Sequence, residues 1–399
     1  MKILMASHYF ASHKGGIEIV AEELFRVLAD SEREVTWLAA DATLPPDPSG
    51  TSRTIPLRVC NFVEDKTGLP FPIPRPSALR KIIHEVSNAD VVIMHDCLYL
   101  SNIFAFVVAR LRRVPILVIQ HLGFVPYSSR LLNAGMRFAN ATVTRPMLSH
   151  ADQVVFISEI TRSYFGRLRF KRSPEVVFNG VGTNVYRPLG SGESKGCLRR
   201  QFGLSEDKPA ILFVGRFVEK KGLSAMKHMV DLRPAWTWVF AGWGPIDPRR
   251  WNADNVQVFS NLRGPSMAAL YRACDILVLP STGEGFPLVI QEALASGLGV
   301  VCGTETLEAD PAMKAFVRGA SVRKGADDQT AREFLSAIDD LLYPGAESIE
   351  KSEARRAFAL SRYSWKGAAN RYVEIVSRLV SQGGLALLQS EQGTAETRR

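Results

Sequence analysis

A chain of 399 residues with 46% hydrophobic and 22% charged residues has the make-up of an ordinary globular protein, which argues against disorder outside the ends and favours two domains over one. Its formal net charge of +9 suits an anionic partner, and no run of about 18 uncharged apolar residues offers a membrane span. The five scattered cysteines, Cys60, Cys97, Cys197, Cys274 and Cys302, have neither zinc spacing nor an even count for disulfides, which fits a reducing cytoplasm.

The first ten residues lack the long apolar core and cleavage site of a signal peptide; residues 2–6 read as a buried first strand. A Gly15-Gly16 turn leads into a helix on which Ile17, Val20, Ala21, Leu24 and Leu28 repeat at helical spacing. Further strands are predicted at 34–38, 91–94, 116–120, 153–157 and 175–178. Their continuous β-branched runs suit a parallel sheet covered on both faces. Residues 188–196, rich in Gly and Ser, read as a linker. The second half repeats the pattern with strands at 210–214, 237–241, 256–259, 276–279 and 299–302, and its clearest helices are at 265–273 and 287–296. After Trp365 comes an amphipathic helix carrying Ala368, Tyr372, Val373, Ile375 and Val376, then a polar tail expected to be disordered. The expected architecture is α/β: two Rossmann-like, doubly wound domains facing each other across a cleft, with ligands beyond the carboxyl ends of the strands. The divisions read from the sequence are 1–187, a linker at 188–207, 208–364, a returning helix at 365–382 and a tail at 383–399.

Charge is concentrated between Tyr99 and Arg187, where twelve cations (Arg110, Arg112, Arg113, Arg130, Arg137, Arg145, Arg162, Arg167, Arg169, Lys171, Arg172 and Arg187) face only Asp152, Glu159 and Glu175. No aromatic-plus-basic RNA signature accompanies them, so nucleic acid is not the expected partner. Anionic lipid or a phosphate-bearing acceptor explains the patch as well as a solvated basic face does. Phe165, Leu168 and Phe170 interleave with Arg162, Arg167, Arg169, Lys171 and Arg172 in the manner of an interfacial segment.

In the second half, a strand runs into Gly215 and the following loop carries Arg216 and Lys221. Two cations there can clamp a diphosphate and stabilise charge on a leaving group; a solvated basic turn is the competing reading. Gly242-Trp243-Gly244 forms another turn that lets backbone approach a ligand. Between Pro280 and Glu292 the sequence combines a strand end, the glycines around Glu284 and a helix start at Pro287. The amides of Leu288 and Val289 are expected to point at an anion, and Glu292 can accept hydrogen bonds from ribose hydroxyls. Acids favoured by the helix dipole are the alternative reading of both glutamates. The seven histidines do not cluster at metal spacing, so no tightly bound metal is expected.

Glu284 and Glu292, with seven residues between them, resemble the E-x7-E signature of glycosyltransferase family 4, retaining enzymes of the GT-B fold. The resemblance covers most of the chain. Gly15-Gly16-Ile17-Glu18 is similar to the family's N-terminal glycine turn, and His121-Leu122-Gly123 sits where the family has its active-site histidine. Ile157-Ser158-Glu159, Asn179-Gly180-Val181, Tyr186-Arg187-Pro188, Gly215-Arg216, Lys221-Gly222 and Tyr363-Ser364-Trp365 follow in the family's order. The sequence departs from the pattern at Gly182, where Asp is usual, at Gly299, where Pro is usual, and from Cys302 to Glu308, where a glycine loop is missing.

The resemblance implies that Arg216 and Lys221 bind the donor diphosphate and Glu292 the ribose. Glu284 then lies near the donor sugar, His121 contacts that sugar from the first domain, and the Gly16 turn closes over the reacting centre. Gly285, Phe286, Leu288 and Val289 complete the expected donor-binding set, while His8, His13 and His95 are read as structural. The implied activity is a metal-independent, retaining, hexosyltransferase-type transfer from a nucleoside diphosphate sugar, with no cofactor. The implied acceptor is a lipid-linked or glycoconjugate intermediate of cell-surface polysaccharide synthesis. The expected location is the cytoplasm, with peripheral attachment to the inner face of the cell membrane as an option. A nucleotide-sugar epimerase of the same fold and a non-catalytic partner protein are the competing functions.

Overall fold

The computed structural model describes residues 1–13, 15–29, 33–46, 52–67, 71–124, 129–343 and 348–396, the side chains of 67 and 383–396 excepted. Its contacts divide the chain into two units, Met1–Asn179 with Trp365–Arg399, and Gly180–Ser364.

In the first unit the main strands are β1 (Lys2–Ala6), β2 (Glu34–Ala40) and β3 (Arg53–Leu57). A small antiparallel pair follows, β4 (Val59–Cys60) and β5 (Ile73–Pro74), and then β6 (Val91–His95), β7 (Ile116–Gln120), β8 (Gln153–Phe156) and β9 (Glu175–Val176). The seven-stranded sheet has the order β3-β2-β1-β6-β7-β8-β9, and its pairs are parallel. β6, β7 and β8 are buried along their whole length, which is why their sequences run apolar without alternation. The sequence reading missed β3, an edge strand with Pro56 in it and only Leu57 fully buried; proline is tolerated at a sheet edge because its missing N–H costs no ladder bond.

The second unit contains β10 (Ala210–Arg216), β11 (Thr237–Trp243), β12 (Val256–Phe259), β13 (Ile276–Leu279), β14 (Gly299–Gly303) and β15 (Arg318–Ala320). They form a second parallel sheet in the order β12-β11-β10-β13-β14-β15. The unpredicted strand is β15, three residues at the edge with two of them exposed. Both sheets reverse strand order at their centre, between β1 and β6 and between β10 and β13. In doubly wound sheets ligands sit at that reversal, beyond the carboxyl ends.

The boundary lies at Asn179–Gly180, not after Arg187. Residues 180–207 are tied into the second unit by backbone and side-chain bonds. The Val181 amide donates to Tyr363 O at 2.7 Å, and the Arg356 guanidinium donates to the Tyr186 and Ala295 carbonyls, each at 3.1 Å. The stretch read as linker contains the helix Lys195–Gln201. Its Arg199 is buried and bonds the carbonyls of Ala273 and Glu206 and the carboxylate of Asp275. At the other end of the chain, the helix from Trp365 continues to Glu396 rather than stopping at 382; residues 397–399 lie outside the described residues. Ala368, Tyr372, Ile375 and Val376 are its buried face, which packs against the helix Gly16–Leu28.

Candidate active site

In the second unit, glycine geometry brings two loops together. Gly222 ends the turn after β10 at φ 76°, and a Cβ there would lie 2.4 Å from Pro280 O. Only glycine permits that approach without displacing backbone. The Thr282 amide then donates to Lys220 O at 3.0 Å, so the loop after β10 lies along the loop after β13. Lys221 Nζ consequently sits 2.9 Å from Glu284 Oε1, both side chains being largely buried. The sequence reading gave these two residues separate roles; the structure makes them an ion pair.

Two further cations adjoin that pair. Burial pushes the Lys220 ammonium below its ordinary pKa; Glu284 counters this, while Lys221 and Arg216 add to it. Sequence reasoning passed over Lys220, whose position beside Lys221 was its only signal. Arg216 is exposed and has no carboxylate partner among the described residues. Three cations thus gather near a carboxylate that pairs with only one of them, an excess that a phosphate group can neutralise.

The helix Leu288–Ala295 begins beside this cluster in sequence, with Pro287 as the N-cap residue rather than in the first turn, and no side chain caps it. Leu288 and Val289 are partly exposed, and their amides are the uncapped donors of that first turn. Glu292 Oε2 accepts a 2.8 Å hydrogen bond from Tyr271 Oη, and the Tyr186 phenol acts on the same carboxylate. Burial raises the Glu292 carboxyl pKa; the two phenols pull it back without cancelling the rise. Neither tyrosine was singled out as a partner from sequence, although Tyr186 lies in the quoted Tyr186-Arg187-Pro188 segment. Gly285 is buried. Phe286 is also buried, its ring meeting Tyr363 edge-on at 5.4 Å, so its side chain serves packing and only its backbone remains for a ligand.

In the first unit, the carboxyl ends of the neighbouring strands β1, β6 and β7 lead into His8, His95 and His121. All three are buried. His121 Nε2 lies 3.0 Å from His95 Nδ1, and the His121 amide donates to Asp96 Oδ1 at 2.8 Å. Burial pushes the His121 pKa down to about 3 and holds His95 well below the ordinary range, so this pair is neutral near pH 7. Asp96, a non-glycine residue at φ 60°, has its carboxyl pKa raised by burial, partly offset by the amides of His121 and Leu122, to about 7. Asn102 holds the strand end from below, donating to the carbonyls of His95 and Asp96 at 2.8 and 2.9 Å.

A second network occupies the glycine turn. Glu18 Oε1 lies 3.0 Å from both His8 Nε2 and His13 Nδ1, and His13 Nε2 lies 3.0 Å from Glu64 Oε1. Tyr9 bonds Glu64, and the His8 ring stacks on Tyr99 at 3.9 Å. Burial would raise the Glu18 pKa, yet bonds from His13 and His8 hold it well below the carboxylate range. Desolvation of His13 is outweighed by Glu18 and Glu64, and its pKa rises. Histidines read separately as structural are therefore one connected network around Glu18. Gly15 is the N-cap of the following helix, and Gly16 is exposed as its first residue.

Among the described residues no group of three or more His, Cys, Asp or Glu is placed to hold a metal ion, and no helix is long and apolar enough to cross a membrane. The basic segment differs from expectation. Phe165 is fully buried, and Leu168 and Phe170 pack against the same core, with Phe165 stacked on Phe156 at 5.8 Å. These side chains face inward and leave no interfacial stripe. Arg162, Lys171 and Arg187 are paired with Glu159, Asp152 and Glu193.

Comparison with known proteins covers both units. Residues 195–354 match the family model "Glycosyl transferases group 1", and residues 15–180 match a "Glycosyl transferase 4-like domain". A putative teichuronic acid biosynthesis glycosyltransferase, TuaC of Bacillus subtilis, is 31% identical over 123 residues, 31% of this chain and 31% of that protein. The N,N'-diacetylbacillosaminyl-diphospho-undecaprenol alpha-1,3-N-acetylgalactosaminyltransferase of Campylobacter jejuni is 22% identical over 304 residues, covering 74% of this chain and 79% of that one. The chain spans 31% to 51% of the length of the first four curated relatives it matches. Among solved structures, Anabaena HepE in complex with UDP-glucose superposes with a TM-score of 0.69 at 17% identity, over 95% of this chain and 100% of that one. The two parallel-sheet units are those of the GT-B fold, and the chain is a glycosyltransferase with a glycosyl transferase 4-like domain followed by a group 1 glycosyl transferase domain.

Proposed function

We propose that this protein transfers a glycosyl group from a nucleoside diphosphate sugar to a lipid-linked or polysaccharide intermediate, with retention of anomeric configuration. The observation that carries this reading is the cluster of Arg216, Lys220 and Lys221 around Glu284 at the reversal point of the second sheet. Its excess positive charge suits a diphosphate leaving group, whose developing charge fixed cations stabilise in the transition state. Glu292, held by Tyr271 with Tyr186 beside it, is the acceptor for ribose hydroxyls. Since the cations meet the phosphate charge directly, the reading requires neither a metal nor a cofactor. The names of the relatives support the acceptor class, and the UDP-glucose bound to HepE supports the donor class.

The test is a panel of nucleoside diphosphate sugars examined by thermal shift and by NMR of the products. The preferred donor at 100 times its Kd stabilises the fold by about 2.7 kcal/mol. Transfer should give a product of the donor's anomeric configuration and persist in EDTA. An inverted product ends the retaining assignment, and conversion of the donor without an acceptor points to an epimerase.

A second observation bears on where the acceptor is met. In the helix Arg130–Ala139 no residue is buried, and Leu131 and Phe138 are 85% and 70% exposed. With Ala134 and Gly135 they form an apolar stripe bordered by Arg130 and Arg137, the pattern of a helix lying in an anionic membrane surface. Flotation with anionic vesicles should carry the protein at low salt, and Leu131→Asp with Phe138→Asp should abolish it. Wild-type protein left at the bottom of the gradient at low salt rules this attachment out.

A further inference from the structure

The Gly242-Trp243-Gly244 turn at the end of β11 has no part in the reading above. Trp37 and Trp238 are fully buried, whereas Trp243 is 47% exposed and has no ring contact among the described residues. Its backbone is nevertheless held firmly. Trp243 O accepts from the Phe217 amide at 2.7 Å, and the Ile246 amide donates to Phe217 O at 3.1 Å. Gly242 and Gly244 lie at φ 158° and 159°; a Cβ on Gly242 would sit 1.9 Å from Gly215 O, and one on Gly244 2.4 Å from Phe217 O. Both glycines are required for the strand end to close against the Gly215–Phe217 segment. The result is a fixed backbone that presents a large apolar ring to solvent.

Trp243 is the register partner of Arg216 in the parallel β10–β11 pair. Registered residues of parallel strands project from the same face of the sheet, about 4.8 Å apart. An exposed indole and an exposed guanidinium therefore stand side by side at the carboxyl edge, where a doubly wound sheet takes its ligand. An indole that is 47% exposed leaves part of its ring face open to a ligand. The chemistry of the pair matches a molecule with an anionic group next to a flat π face.

We propose that Trp243 is the stacking platform for the heteroaromatic base of the donor nucleotide, with Arg216 engaging the adjoining diphosphate. This rests on the donor-site reading above and adds a specificity-determining residue to it. A stacked base gains from the ring face whatever its hydrogen-bonding edge, so Trp243 sets affinity for the nucleoside part and leaves phosphate recognition to the cations.

Calorimetric titration of UDP, ADP, GDP and inorganic pyrophosphate into wild type, Trp243→Ala, Trp243→Phe and Lys221→Ala tests this. Trp243→Ala should weaken the preferred nucleoside diphosphate about tenfold or more, and Trp243→Phe by no more than about threefold. Pyrophosphate, which has no base, should bind Trp243→Ala as it binds wild type, which also reports an intact loop. Unchanged nucleoside diphosphate affinity in Trp243→Ala overturns the proposal, as does an equal loss of pyrophosphate. If Lys221→Ala loses binding while Trp243→Ala keeps it, only the base platform fails. If wild type binds none of the three nucleotides, the donor site fails and the platform with it.

Discussion

At the strand ends of the first unit, polar groups are buried and answer one another; at those of the second, they are partly exposed and cations outnumber their partner. His121 is paired with His95, and Glu18 with His8 and His13. Around Glu284, by contrast, Lys221 alone is paired while Lys220 and Arg216 add further positive charge, and Arg216 and Trp243 stand exposed. Burial therefore holds His121 and His95 neutral before any ligand arrives, and bonds from His13 and His8 keep Glu18 ionised. The second group is electrostatically incomplete. The comparison teaches that one strand-end site is organised by the fold itself, whereas the other keeps an excess of positive charge that the proposed diphosphate would neutralise.

The largest expected effect breaks the incomplete side. Lys221→Ala removes the cation that pairs with Glu284 and leaves a largely buried carboxylate beside the incoming diphosphate. Turnover should fall by roughly 10²–10³, as for loss of one transition-state donor elsewhere, and steady-state kinetics with the preferred donor measures it. Wild-type turnover in Lys221→Ala would remove the lysine from the chemistry and make its pairing with Glu284 purely structural.

The two sites also differ in how far they could be read from sequence. Arg216, Lys221, Glu284 and Glu292 could be picked out together from sequence because their spacing and order resemble those of glycosyltransferase family 4, while each alone also has a structural reading. That Lys221 and Glu284 form one pair was not legible, since it depends on the loop approach that Gly222 permits at Pro280 O. The histidine network was less visible still. His95 and His121 are 26 residues apart and meet only because β6 and β7 are neighbours, and strand adjacency is set by the whole sheet. The central strands were legible from continuous apolar runs, whereas the edge strands β3 and β15 bury too little to leave such a run. The basic segment misled because interleaved aromatic and basic residues suit a membrane face and a buried turn equally; the packing of Phe165 and Phe170 against Phe156 separates the two.

Glu18→Gln sharpens the comparison from the organised side. It keeps the shape and removes the charge that His8 and His13 share, at a cost of about 1.5–3 kcal/mol, the worth of hydrogen bonds to a charged group. The Glu18 carboxyl pKa is depressed, so its contribution is present above its ordinary 4.5 and is lost as pH falls through the folded value. The His13 pKa is raised, so its contribution is complete below its ordinary 6.5 and is lost as pH rises through the folded value. The two overlap between about pH 4.5 and 6.5, and the destabilisation by Glu18→Gln, followed by urea unfolding, should be greatest there and smaller at pH 9. A cost independent of pH across that range would show that the network is held by packing and not by charge.

Asp96→Asn carries the smallest expected effect and the opposite sign. Asp96 accepts the His121 amide while its own charge is buried, and its pKa is raised from 3.8 to about 7. An acid whose folded pKa is raised binds more protons folded than unfolded, so the stability it costs appears as pH rises from about 4 to 7 and is complete above 7. Asparagine keeps the accepting oxygen, tolerates the positive φ at this position and carries no charge. Replacing Asp96 should therefore stabilise the protein at pH 8 by about 1–2 kcal/mol, well below the full value of the shift because the new amide needs partners of its own. The gain should shrink at pH 5, where the folded carboxyl is already largely protonated. Equal effects at pH 5 and pH 8, measured by thermal unfolding, would mean that Asp96 is no burdened carboxylate and that the first site owes less to burial than its geometry indicates.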